Sequence, residues 1–253
     1  MPSIAEIRAV GQPASLHVGE GYEHWAGRLY MRRVSPYVTR FLVSTPISAN
    51  GVTALLFPAG LLAALSLTVP GLPGAIAAVV FAQLWLLLDC CDGEVARWRQ
   101  TFSSTGVYLD GLSHALTQAL LPIGLGIRAD GGWDSIGGWT VLGLVASFLV
   151  LLISLESELV HSVRARDGKT GLLQGGAPPA GTVGMARRAV GLVPVYRALN
   201  PIEATFLALA AAVVDELVDS LSASRTLLVG LLCAAALTAA GHLAVILSSD
   251  RLR

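Results

Sequence analysis

Mostly apolar runs of about twenty residues recur along this chain, and nothing else in it restricts the fold so strongly. Crossing the hydrocarbon of a bilayer takes roughly 20 such residues at about 1.5 Å rise each. Residues 50–69, 73–92, 104–127, 138–158 and 224–248 meet that length. A sixth stretch, 200–217, is Ala-rich and closes on Asp215 and Glu216. Backbone polar groups in lipid must be satisfied within the segment, which leaves helices for spans this long. The expected fold is an all-α integral membrane protein of six transmembrane helices. Composition agrees, with 54% hydrophobic and 13% charged residues, a balance foreign to soluble domains.

The net charge is zero, but its distribution is lopsided. Threading six spans with both termini on one side gathers Arg8, Arg28, Arg32, Arg33, Arg40, Arg97, Arg99, Arg164, Arg166, Lys169, Arg187, Arg188, Arg197, Arg251 and Arg253 there. Only Arg128 and Arg225 fall opposite. By the positive-inside rule both termini are expected in the cytoplasm, in a bacterial-type inner membrane. The opening MPSIAEIRAVGQ is polar and shows no apolar core before a cleavage point, so no cleaved signal peptide is expected. No nucleic-acid partner is expected either.

Residues 1–49 read as an N-terminal segment and 50–253 as the six-helix transmembrane domain. Within the first, residues 22–43 alternate Trp, Tyr, Leu and Phe with Arg, as an interfacial amphipathic helix does. TPISANGVT then leads into the first span, with Asn50 as its expected N-cap. Residues 161–199 are polar, rich in Gly and Pro, and expected to form a cytoplasmic loop with a short helix around 183–191. Cys90, Cys91 and Cys233 cannot frame a disulfide and read as reduced core residues.

The chemistry concentrates in the second and third spans. Acidic residues in a span cost a few kcal/mol each and mark function by default. They come here in the pattern Asp89-Cys-Cys-Asp92-Gly93-Glu-Val-Ala96-Arg97, then, after eight residues, Gly106-Val-Tyr-Leu-Asp110-Gly-Leu-Ser-His114. Asp89, Asp92 and Ala96 share one helical face, and Gly106, Asp110 and His114 another. The hairpin between them is short, so the two helices are expected to be antiparallel neighbours with their acidic faces meeting. Converging carboxylates in a low dielectric need a cation, and hard oxygen ligands suit Mg²⁺ or Mn²⁺ carrying substrate phosphates. Gly93 and Ala96 remove bulk beside a ligand, and Arg97 offers a fork for phosphate.

These residues resemble the signature of the CDP-alcohol phosphotransferases, D-x2-D-G-x2-A-R-x8-G-x3-D-x3-D, at every fixed position but the last. The Pro46-x3-Asn50-x2-Thr53 entry to the first span is similar too. The resemblance implies an interfacial helix followed by six spans, and homodimers. It further implies that Asp89, Asp92 and Asp110 hold the metal. Gly93, Ala96, Arg97, Ser103 and Gly106 would then shape the CDP site, with Pro46, Asn50 and Thr53 close to the nucleotide. The implied reaction is attack of an alcohol acceptor on the β-phosphorus of a CDP-linked donor such as CDP-diacylglycerol, releasing CMP for phospholipid biosynthesis among membrane lipids.

Where the family has its fourth aspartate, the expected general base, this chain has His114. A neutral imidazole accepts a proton at cytoplasmic pH but ligates Mg²⁺ poorly. His114 is therefore the expected catalytic base, while a second metal site loses a ligand. Glu156, Glu158 and His161 read as marking the end of the fourth span. Arg164, Arg166, Lys169, Arg187, Arg188 and Arg197 fit either an acidic acceptor or plain retention on the cytoplasmic side. Glu203, Asp215 and Asp219 read as capping or flanking the fifth span. A zinc site at Cys90 and Cys91 is disfavoured, because adjacent helical side chains diverge by about 100°. Other classes to weigh are a CDP-linked polar alcohol with a lipid acceptor, a divalent-cation transporter and a non-catalytic relative.

Overall fold

The computed structural model describes residues 1–13, 24–166 and 195–248, and among these every regular element is helical. A short helix α1 (Ile4–Gly11) and α2 (Arg32–Leu42), the latter entered through a π-helical turn at Gly27–Met31, precede the bundle. Then come α3 (Ala49–Ala54) and α4 (Leu56–Leu67), which run on as one segment, α5 (Gly71–Arg99), α6 (Ser104–Asp130), α7 (Gly138–Arg166), α8 (Pro201–Val218) and α9 (Ser222–Ser248). Among the described residues, Ala49–Leu67, α5, Gly138–Val163 and α9 are long and apolar enough to cross a membrane, which marks a membrane protein. The more polar α6 and α8 stand among them.

Helix α2 buries Ser35, Thr39 and Leu42 against the bundle, while Val34, Tyr37 and Phe41 are exposed, as is Leu29 in the turn before it. The core between α4, α5, α8 and α9 is built from small residues such as Ala63, Ala78, Ala82, Ala208 and Ala235, which let backbones approach closely. Between α6 and α7 the approach is closer still: a Cβ on Gly143 would sit 2.5 Å from the Pro122 carbonyl oxygen.

One end of the bundle is closed by its own charges. The Asp130 carboxylate accepts from the Gly137 and Thr140 amides, each at 2.8 Å, and so caps α7. Asp215 accepts from the Ala223 and Ser224 amides and caps α9. It thus belongs to the following helix rather than only flanking its own. Arg128 is fully buried; its Nη1 donates to the carbonyls of Val69 at 2.8 Å and Gly71 at 3.0 Å, and its Nε to Ser224 Oγ. Arg225 Nε donates to the Ala129 carbonyl and its guanidinium lies over Trp139.

Several expectations change. Ser48, not Asn50, caps the first span: its Oγ accepts from the Gly51 amide at 3.0 Å, which frees the Asn50 side chain. Helix α7 runs on to Arg166, and Glu156 does not mark its end but is buried, bonded to His242 of α9 at 3.0 Å. Glu158 and His161 are exposed. Cys90 and Cys91 are buried as expected, whereas Cys233 is exposed on α9. Tyr22, Glu23, Lys169, Arg187, Arg188, Arg251, Arg253 and the expected helix at 183–191 lie outside the described residues.

Helices α5 and α6 are not packed neighbours along their length either. Each packs on the α3–α4 segment. Helix α5 ends on Gln100 in a left-handed conformation (φ 54°), with Thr101 N–H returning to the Ala96 carbonyl, and the chain re-enters helix at the N-cap Ser103. The two acidic faces therefore meet across a gap, through side chains alone.

Candidate active site

The gap is bridged by His114. Its Nε2 lies 3.3 Å from Asp89 Oδ1 and its Nδ1 3.3 Å from Asp110 Oδ1. Nδ1 is also 3.0 Å from the Asp110 backbone oxygen. The carbonyl and both carboxylates can only accept, so the two nitrogens donate at once only in the doubly protonated ring, while the neutral tautomer with its hydrogen on Nδ1 has its lone pair on Nε2. Trp85 fixes the ring's face: the two rings meet edge-on at 4.5 Å, and the indole Nε1 donates to Ser113 Oγ at 3.2 Å. Asp89, Asp110 and His114 have ligand atoms within 4.8 Å of one another, close enough to hold one metal ion. Asp110 Oδ1 is a buried oxygen without a hydrogen bond. Two carboxylates, one with an unsatisfied oxygen, fit a hard divalent cation.

Asp92 sits apart from that trio. Its Oδ2 accepts from Thr53 Oγ1 at 2.8 Å, which ties α5 to the first span. Asn50 joins α6 in the same way: Ser103 Oγ donates to Asn50 Oδ1 at 3.0 Å and accepts from the Gly106 amide at 3.0 Å. Gly106 is required here, because a Cβ would fall 2.7 Å from Asn50 Oδ1. Gly93 makes room for Arg97 rather than for a ligand alone, since a Cβ there would lie 3.1 Å from an Arg97 nitrogen. Arg97 Nε donates to the Gly11 carbonyl at 2.6 Å, so the N-terminal helix holds this arginine in place. Ala96 is half-buried on α5, and Pro46 is exposed in the turn before α3. The residues expected around a nucleotide thus form one group, Thr53–Asp92, Asn50–Ser103–Gly106 and Gly93–Arg97, along α3, α5 and the start of α6.

Sequence reasoning missed two residues that brace this group. Glu94 is fully buried and accepts from Gln12 Nε2 at 2.8 Å, Ser35 Oγ at 2.5 Å and Thr39 Oγ1 at 2.6 Å, with Arg32 Nη1 at 3.4 Å. It pins α1 and α2 to α5. Arg99 donates to the carbonyls of Leu42 at 3.2 Å and Thr45 at 2.7 Å, which orders the turn holding Pro46. The only sequence signal was that both charges lie beside the motif.

A cavity of about 680 Å³ opens on the other part of the trio. It is lined by Asp89 and His114 together with His24, Arg28, Arg32, Gln118, Arg197, Asn200 and Glu203 among others, and by none of the residues grouped around Asn50. Its rim is latched: Glu203 accepts from Trp25 Nε1 at 2.7 Å and pairs with His24 Nε2 at 2.8 Å. Glu203 was expected to cap or flank its helix; it stands in the first turn of α8 and from there fastens the N-terminal segment to that helix.

The family model for CDP-alcohol phosphatidyltransferase matches residues 47–214. The chain belongs to that family. It is a transferase of substituted phosphate groups that moves a phosphoalcohol group from a CDP-alcohol, in a family that supports phospholipid biosynthesis and typically uses divalent metal. Comparison with curated proteins gave no match.

Proposed function

We propose that this member transfers a phosphatidyl group from CDP-diacylglycerol to a small alcohol, with Mg²⁺ or Mn²⁺ held by Asp89 and Asp110 and with Asp92 completing the acidic set. A site set among apolar helices is most useful when one substrate is a lipid. Pro46, Asn50, Thr53, Gly93, Ala96, Arg97, Ser103 and Gly106 would receive the CDP moiety. The observation that supports the reading is the placement of the His114 ring, with Nδ1 against the Asp110 carbonyl and Nε2 beside Asp89 on the cavity wall, so that the neutral ring with its hydrogen on Nδ1 offers a base at Nε2.

In this mechanism Nε2 takes the acceptor's hydroxyl proton as the hydroxyl oxygen bonds to the donor's β-phosphorus, and the phosphoanhydride bond to CMP breaks. Trp85 and the Asp110 carbonyl keep the ring in place for that transfer. A bound divalent ion would supply charge neutralisation on the pyrophosphate. The fold that goes with this reading has six spans, with residues 50–253 forming the catalytic domain. The N-terminal segment lies in the interface, both termini and the site face the cytoplasm of the inner membrane, and the chain forms homodimers.

The test is CMP release by purified protein given CDP-diacylglycerol and a panel of alcohols, with Asp110→Asn as control. Release from CDP-diacylglycerol supports the proposal. Release only from a CDP-linked polar alcohol with a lipid acceptor would reverse the substrate roles, and no release from any CDP-alcohol would overturn it.

A further inference from the structure

Arg97 stands on α5 beside the acidic motif, yet its partner comes from 86 residues earlier in the chain: Nε donates to the Gly11 carbonyl at 2.6 Å. Gly11 is the last residue of α1. The C-terminal end of a helix carries the negative end of its dipole, which favours a cation there. A guanidinium is planar, so tying Nε also constrains the direction of the Nη1–Nη2 edge. Those two nitrogens lie over Gly93, 3.2 and 3.1 Å from where a Cβ on it would stand.

The carbonyl that holds Arg97 is itself held. Gln12, the next residue, donates through Nε2 to Glu94 Oε1 and to the Arg32 carbonyl, each at 2.8 Å. Glu94 is fully buried and accepts in turn from Ser35 and Thr39 of α2. Gly11 packs directly on it, since a Cβ there would meet the Glu94 Cβ and Cγ at 3.3 Å. Ile7, one turn earlier, is fully buried too. Helix α1 has eight residues, too few to be stable as an isolated helix, so its place depends on these contacts.

We propose that Gln12 and Glu94 are positioning residues for the donor: they seat the end of α1 on α5, and its Gly11 carbonyl aims the Nη edge of Arg97 at the donor's pyrophosphate. Both act through Arg97, and neither has to touch the substrate. The inference rests on Arg97 receiving the CDP moiety. It gives α1, which precedes the matched residues 47–214, a part in binding the nucleotide. The same contacts could serve stability alone, and a coupling measurement separates the two roles.

The test is a double-mutant cycle in the full-length protein, read by calorimetric binding of CDP with Mg²⁺ present, so that it needs no turnover. Gln12→Ala removes the tether without adding charge. It should weaken CDP binding about tenfold, the scale of a hydrogen bond to a charged group. Gly11→Val, which drives a side chain into Glu94 and lifts the carbonyl, should do the same. In an Arg97→Ala background each should change the affinity by less than about twofold, because the group they act through is gone. In turnover, the donor's KM should rise, with kcat at saturating donor and the acceptor's KM within about twofold.

A lower melting temperature with unchanged CDP affinity in the folded protein would overturn the proposal, and so would an equal loss of affinity in both backgrounds. If Arg97→Ala itself leaves CDP binding unchanged, the placing of Arg97 at the nucleotide fails and the proposal falls with it. The expected coupling in a protein that turns over no CDP-alcohol supports the proposal and counts against the reaction alone.

Discussion

The two ends of this bundle hold the same kinds of residues and use them oppositely. At one end Arg128, Asp130, Asp215 and Arg225 are tied to backbone amides and carbonyls of neighbouring helix termini. At the other, Asp89, Asp110 and His114 face one another across a gap and open onto a cavity. A charge in an apolar bundle is costly either way. Where it caps a helix the cost is offset locally and the charge is structural. Where carboxylates face one another and one oxygen, Asp110 Oδ1, has no hydrogen bond, there is room for a cation to complete them.

The sharpest way to break this contrast is to exchange activity for stability at each end. His114→Ala should lower CMP release about 10³-fold, the usual scale for a lost general base, and keep the thermal shift produced by CDP. Unchanged turnover would remove it as the base. At the capped end, Arg128→Ala orphans the Val69 and Gly71 carbonyls and should cost about 3 kcal/mol of stability, at roughly 1–3 per buried group. Turnover per folded molecule should hold, and a loss of turnover without a lower melting temperature would erase the distinction between the ends.

Glu94 tests the boundary, because it lies beside the motif yet is paired as thoroughly as the capping residues. Glu94→Ala should destabilise by about 2 kcal/mol and speed protease cleavage near Gln12, as α1 and α2 lose their anchor on α5. The mildest change is Ser103→Ala, which removes both an N-cap and the Asn50 contact. A cost of about 1 kcal/mol of stability is expected together with weaker CDP binding; an unchanged affinity would detach Asn50 from the nucleotide.

The residues that meet at the centre were legible in the sequence because helical spacing puts Asp110 and His114 one turn apart and Asp89 on the facing helix. The long helices were legible from hydropathy. What could not be read were pairings between distant segments. Nothing local links Glu94 to Ser35 and Thr39, or Glu203 to His24, since those bonds exist only once α2 and α8 have docked. The position of Asn50 was misread because two candidate caps, Ser48 and Asn50, stand two residues apart and only backbone geometry chooses. The short hairpin suggested that α5 and α6 would pack together, but the turn at Gln100 and the intervening α3–α4 segment keep them apart.

That separation has a kinetic consequence. With the Asn50 group on one part of the centre and the cavity on another, neither substrate has to vacate its place before the other enters. Initial-rate plots at several fixed donor concentrations would then intersect instead of running parallel, and the phosphoalcohol group would pass directly between substrates without ever being held covalently by the protein.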